Sequence, residues 1–181
     1  MKIAPEGYPF VIVCAVLALL FVALTAFMLY FFRDPERQTP QRADAFYSPA
    51  DGRILLVRPV EETVYCQGRR QQISIFMSPF NVHVNRAPCD GTVSAVKHNP
   101  GRYLSAYKEE ASRVNENNEM ALDTRHGRIL VRQVAGFVAR RTVCRVRVGD
   151  TLEQGERFGM IKFGSRVDIS LPFESQVQVK P

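Results

Sequence analysis

Only four cysteines, Cys14, Cys66, Cys89 and Cys144, occur in the 181 residues, and their spacing suits neither a zinc site nor a disulfide framework. They read as reduced, buried small residues, which a cytoplasmic compartment allows. Histidine is scarcer still, with three copies, so chemistry that needs a neutral-pH base has few places to find one. No module of interleaved aromatic and basic residues is present, and Lys and Arg are scattered; the net charge of +6 therefore points away from nucleic acid. Charge itself is missing from Tyr8 to Phe32, where Thr25 is the one strongly polar side chain.

That uncharged run predicts a membrane helix. At about 1.5 Å per residue it exceeds the roughly 30 Å hydrocarbon core. A cleaved signal peptide would need a shorter apolar core and a small-residue cleavage site, whereas the run ends in Tyr30-Phe-Phe-Arg33, an interfacial anchor. Arg33, Arg37, Arg42, Arg53 and Arg58 follow, against Lys2 and the amino terminus on the other side. The positive-inside rule thus predicts an inner-membrane protein with its domain in the cytoplasm, although Pro5 and Pro9 leave a one-leaflet insertion open. Lys2 and Glu6 cancel, so the +6 lies beyond residue 32. A tethered basic domain is drawn to anionic lipid at roughly 1 kcal/mol per basic residue near the surface.

The expected organisation is an anchor helix over 1–32, a proline-rich linker over 33–49 and one β domain over 50–181, long enough to bury its own core. Within that domain short runs alternate apolar and polar residues: 53–57, 71–77, 92–96, 128–134, 157–163 and 166–171. Asp-Gly, Asn-Pro-Gly, His-Gly and Gly-Asp turns separate them, so they predict strands. A helix is expected over 103–114. Ser48-Pro-Ala-Asp-Gly52 and Ala87-Pro-Cys-Asp-Gly91 echo each other as related hairpin corners. The run Val146 to Glu156 resembles the hairpin of biotinyl and lipoyl carrier domains, and 176–181 looks like the start of another copy, which leaves open whether the sheet is complete. The fold class is therefore mainly β, an antiparallel β-sandwich or barrel with lipoyl-like hairpin elements and one or two short helices, preceded by the membrane helix.

Gly164-Ser165 is the candidate reactive pair. A serine hydroxyl close to the carbonyl carbon of the preceding residue attacks intramolecularly, and effective molarities for well-placed groups reach roughly 10⁵ to 10⁸ M. Glycine removes the side chain that would hinder that attack and tolerates strained backbone geometry. The base must be one of three histidines. His98 and His126 fall in loops and read as solvated. His83 shares a strand face with Asn81 and Asn85 while Val82 and Val84 face the core; that polar face is either a hydrogen-bonded structural feature or a site wall. Asp51 and Asp90 each precede a glycine, as turn aspartates do.

Six ordered segments carry a resemblance. They are Tyr30-Phe-Phe-Arg-Asp-Pro-Glu-Arg37, Ser48-Pro-Ala-Asp-Gly52, Met77-Ser-Pro-Phe-Asn-Val-His-Val-Asn-Arg86, Gly101-Arg-Tyr-Leu-Ser-Ala-Tyr107 with Asn115-Glu-Asn-Asn118, Gln133-Val-Ala-Gly-Phe137, and Gly155-Glu-Arg-Phe-Gly-Met-Ile-Lys-Phe-Gly-Ser-Arg-Val-Asp168. Together they resemble the short, membrane-bound form of the phosphatidylserine decarboxylases over about residues 30 to 172. The resemblance implies a proenzyme that cuts itself at Gly164-Ser165 into a β chain (1–164) and an α chain (165–181), and it implies that Ser165 becomes a covalent pyruvoyl (pyruvate) cofactor. His83 then matches the family's catalytic histidine and Asp51 its carboxylate partner, with Asp90 structural and Asp168 supporting. Many relatives carry aspartate where this chain has Asn81. Phosphatidylserine is the implied substrate, phosphatidylethanolamine the product, and the two chains of one proenzyme the implied heterodimer; a homodimer is compatible. Two alternatives stand beside this: a decarboxylase of archaetidylserine-type lipid, and a non-catalytic biotinyl or lipoyl-like module acylated on Lys162.

Overall fold

The structure, a computed structural model, describes residues 8–137, 141–162 and 165–181. It divides into two units, Met1–Arg33 and Asp34–Pro181. The first holds one helix, α1 (Tyr8–Phe31), and Pro9–Phe31 is long and apolar enough to cross a membrane. Most of its large side chains are exposed, Phe10 and Phe21 each at 72%, as suits a helix solvated by lipid, whereas Phe31 at its end is buried. Thr25 hides its hydroxyl by donating to the Phe21 carbonyl one turn back, 2.8 Å away. Cys14 lies on this outward surface, so the expectation of four buried cysteines holds only in part: Cys66 and Cys89 are buried and Cys144 is half-buried. Burial pushes the Cys66 thiol up to about 11 and the Cys89 thiol up to about 12, which keeps both protonated and unreactive at neutral pH.

Among the described residues the second unit holds ten strands: β1 (Arg53–Glu62), β2 (Gly68–Met77), β3 (Val84–Arg86), β4 (Gly91–Asn99), β5 (Asn117–Thr124), β6 (Gly127–Val134), β7 (Arg141–Cys144), β8 (Thr151–Leu152), β9 (Arg157–Lys162) and β10 (Ser165–Pro172). Seven form one antiparallel sheet in the order β1-β2-β10-β6-β5-β4-β8, and three form a second, β3-β9-β7. Alternation along β2 and β10 sends Ile73, Ile75 and Met77, and Val167, Ile169 and Leu171, into a core shared with Met120, Leu122, Ile129 and Val131. The small sheet adds Phe158 and Ile161 to that core. Each such side chain contributes about 1.5–3 kcal/mol when fully buried.

All six expected runs lie within strands, although Phe163 is outside the described residues. The echoing corners meet: Tyr47 N–H donates to the Pro88 carbonyl at 2.8 Å and Arg86 N–H to the Pro49 carbonyl at 3.0 Å. Both need glycine after the aspartate because a neighbouring strand passes close by. A Cβ on Gly52 would sit 2.2 Å from the Phe76 carbonyl oxygen, and one on Gly91 would sit 2.6 Å from that of Asp123.

Three expectations change. The helix over 103–114 shrinks to α2 (Ala111–Val114). Asn115 causes this by clamping Leu104, accepting from its N–H at 2.9 Å and donating to its carbonyl at 2.8 Å, so those backbone groups cannot join a helical ladder. The stretch read as a linker is strapped to the domain. Gln154 donates to the Ala45 carbonyl at 2.8 Å and accepts from Arg42 N–H at 2.9 Å, while Arg157 pairs with Asp34 and Glu36. Finally, Gln176–Pro181 forms no strand, and Val177 instead packs against the core.

Candidate active site

Ser165 opens β10 directly opposite Met77, the last residue of β2, and is completely buried. Its hydroxyl donates to the Met77 sulfur at 3.5 Å. A thioether is a weak acceptor, so the hydroxyl proton is held in a bond that a real base outcompetes. Gly164, the other half of the proposed scissile bond, lies outside the described residues.

His83 is also completely buried. Its Nδ1 stands 2.9 Å from the Asn81 carbonyl, which can only accept; the proton therefore sits on Nδ1 and Nε2 keeps the basic lone pair. The His83 carbonyl accepts from Ile161 N–H at 3.2 Å. This fastens the histidine to β9 two residues before the 163–164 connection, and Ser165 is the first residue after it. Ser165 and the backbone of His83 thus both lie near the β9–β10 end of the two sheets. The expectation of a strand face at His83 with one side apolar is only half met: the strand begins at Val84, and Val82, His83, Val84 and Asn85 are all buried, so both faces of this segment of the second sheet are covered.

Asp51 is placed differently from the dyad arrangement that the resemblance implies. Its carboxylate accepts from Arg37 at 2.6 Å, and both side chains are roughly half exposed. The two residues line a cavity of about 260 Å³ together with Val82 and Val84, the neighbours of His83. The carboxylate therefore stands beside the histidine segment, and the Asn81 carbonyl does the orienting. Asp90 caps the β8–β9 turn by accepting from Gln154 N–H at 2.7 Å. His98 lies on β4, not in a loop, and reaches the Asn118 Oδ1 at 2.9 Å. His126 does sit in a turn, between β5 and β6, with Nε2 2.7 Å from the Ala43 carbonyl. That turn is at the opposite end of the sheet from Ser165, about 30 Å away at roughly 3.4 Å per strand residue.

Two buried networks were not legible in the sequence. In the first, Gln133 donates to Asn85 Oδ1 at 2.8 Å and to the Val143 carbonyl at 3.1 Å, while Asn118 donates to Thr142 at 3.0 Å. These amides tie β3, β5, β6 and β7 together around the serine. In the second, the fully buried Arg166 guanidinium meets Asp168 at 2.6 Å and accepts no solvent, donating also to Ser74 Oγ at 2.7 Å; Ser112 completes the carboxylate. Arg166 and Asp168 point to the face opposite Ser165, so Asp168 supports the chain after the serine and does not touch it. Their signal is an Arg-x-Asp alternation inside an otherwise apolar strand. Asp168→Ala is expected to cost about 3–5 kcal/mol because it strands a buried guanidinium; the urea midpoint against wild type measures it, and a loss below 1 kcal/mol (about a typical hydrogen bond) would contradict a buried pair.

Comparison with known proteins decides between the readings. The phosphatidylserine decarboxylase family matches residues 24–181. This chain belongs to that family. Relatives named phosphatidylserine decarboxylase proenzyme include one from Desulfotalea psychrophila, 42% identical over 99% of this chain and 90% of its own length. Another, from Symbiobacterium thermophilum, is 45% identical over 99% and 89%, and a third, from Chlorobium phaeobacteroides, is 46% identical over 93% and 78%. The enzyme is a decarboxylase of phosphatidylserine, yielding phosphatidylethanolamine; the archaetidylserine and carrier-module alternatives are not favoured. Lys162, the residue the carrier reading needed, lies within β9.

Proposed function

We propose that the chain is a proenzyme that cleaves itself between Gly164 and Ser165, converts Ser165 into a pyruvoyl group, and uses it to decarboxylate phosphatidylserine at a membrane in which α1 is anchored. The domain then faces the cytoplasm, the side of the Arg33 to Arg58 cluster. One observation supports the reading: Ser165 is completely buried and weakly held by a thioether at the start of β10, and the backbone of His83 is bonded to β9 near the end of that strand.

His83 takes the Ser165 hydroxyl proton as the oxygen attacks the Gly164 carbonyl carbon. The acyl group passes from nitrogen to oxygen, leaving an ester and a free amine at residue 165. Loss of the Cα proton expels the Gly164 carboxylate, and water then releases the nitrogen of residue 165 as ammonia, leaving a ketone. Burial of Ser165 keeps bulk water from hydrolysing the ester first. Asp51, beside the histidine segment, stabilises the imidazolium while the Asn81 carbonyl fixes the ring. The site fits the group, because it forms in place from a side chain already enclosed by Met77 and its neighbours. Once formed, the pyruvoyl ketone supplies an electron sink for loss of carbon dioxide. His83 is positioned to return a proton to the reacting carbon.

Denaturing mass spectrometry of purified protein tests this. Two chains are expected, the smaller being residues 165–181, blocked to Edman degradation and reactive to hydrazide. A smaller chain that reads out from an ordinary Ser165 would overturn the pyruvoyl assignment.

A further inference from the structure

Strands β2, β4 and β6 run in one direction, because β2 and β6 are both antiparallel to β10, and β4 and β6 are both antiparallel to β5. Their three C-terminal ends therefore emerge together. This is the end at which β10 begins: Ser165 stands opposite Met77 and Arg166 opposite Val134, the last residues of β2 and β6. Asn99, the last residue of β4, is opposite Asn117, itself opposite Val134.

Each of the three loops leaving this end exposes an aromatic side chain: Phe80 at 67%, Tyr107 at 61% and Phe137 at 67%. Tyr107 stays at this end because its ring meets Phe76, one residue from the end of β2, edge-on at 5.6 Å. Two strand spacings separate β2 from β6, so the strand ends from which the Phe80 and Phe137 loops leave are roughly 10 Å apart, with β10 and Ser165 between them. Exposed Arg102, Lys108, Arg113 and Arg141 stand around the same rim. Of the acids there, Glu109 is paired with Arg58 and Glu110 is exposed. A water-facing cluster of aromatics is costly unless something covers it.

We infer that Phe80, Tyr107 and Phe137 form an interfacial rim that seats the Ser165 end of the sheet on an anionic bilayer, independently of α1, so that the phospholipid headgroup enters the site from the membrane plane. The inference rests on the reading of the substrate as a membrane phospholipid. Aromatic rings favour the headgroup level, where an apolar body and a wet edge are both satisfied. The basic residues add attraction to anionic lipid. Ser165 is completely buried, and the amine and carboxylate that must reach it sit at the bilayer surface; seating the mouth on that surface shortens the path to a headgroup's length.

The chain contains no tryptophan, so a single tryptophan reports its own surroundings. Phe80→Trp, Tyr107→Trp and Phe137→Trp are made in the full-length chain and reconstituted into phosphatidylcholine–phosphatidylserine vesicles with brominated acyl chains. Val64→Trp is the control, since Val64 is 66% exposed in the β1–β2 hairpin at the other end of the sheet. Severalfold quenching is expected at 80, 107 and 137 and little at 64. Equal quenching at all four positions, or none at the first three, overturns the rim. Cleavage is followed separately on gels, so a failure of self-processing would strike the proposed function and leave the quenching result to judge the rim.

Discussion

Ser165→Ala leaves a single chain of 20.5 kDa with no carbonyl to label and no decarboxylase activity. The substitution removes the only nucleophile one residue from the Gly164 carbonyl, and with it an intramolecular advantage of roughly 10⁵ to 10⁸ M in effective molarity. Packing changes little, because among the described residues the lost oxygen is bonded to the Met77 sulfur alone, at 3.5 Å. The fold should therefore survive, and circular dichroism and the urea midpoint are expected to stay near those of the unprocessed wild type. Ser165→Cys keeps a nucleophile in nearly the same volume and should mature slowly. A time course on denaturing gels, with the mass of each band, decides the matter. The appearance of a 165–181 fragment from Ser165→Ala would mean that another group attacks the bond.

His83→Ala should slow that same cleavage by about 10² to 10⁴, the range that a positioned general base supplies. Nothing else in the described site replaces it: His126 is at the far end of the sheet, and His98 spends Nδ1 on Asn118. His98→Ala and His126→Ala are accordingly expected to mature at close to the wild-type rate. Asp51→Asn should be slower than wild type but faster than His83→Ala, because the Asn81 carbonyl still holds the ring while the negative charge that favours the imidazolium is gone. Asp90→Asn keeps an acceptor for Gln154 N–H and should cleave normally. Measured half-times rank these variants. Maturation of His83→Ala at the wild-type rate would remove His83 from the mechanism.

Strands that the sequence announced are those with one face in the core. In β2 and β10, Ile73, Ile75 and Met77 and Val167, Ile169 and Leu171 keep a period of two, and the pattern survives because the opposite faces, Phe76 apart, hold mostly polar or charged groups such as Gln72, Ser74, Arg166 and Asp168. β5 was silent for a definite reason. It opens with Asn117 and Asn118, whose side chains are buried and hydrogen-bonded, so polar residues occupy inward positions and the alternation disappears. β3 and β8, three and two residues long, are too short to show any period. At 103–114 the helical spacing was real, but the side chain of Asn115, the residue that follows the segment, folds back to hold both backbone groups of Leu104 and draws the start of the segment out of a helix.

From the sequence alone came the apolar anchor, the two Pro-x-Asp-Gly corners, the reactive Gly164-Ser165 pair and, through the order of six segments, the family. These are local properties: hydropathy over one helix length, turn chemistry, and residue types in a row. Tertiary structure decided what depends on residues far apart in the chain. It buried Ser165 against Met77, 88 residues away, and brought His83 against β9. It gave the Nδ1 proton of His83 to the Asn81 carbonyl and the Asp51 carboxylate to Arg37. It turned an apparent linker into a strap. The reason is that a side chain's solvent access, tautomer and partner are set by whichever strands close over it, and strand order, which sequence periodicity leaves open, determines those neighbours.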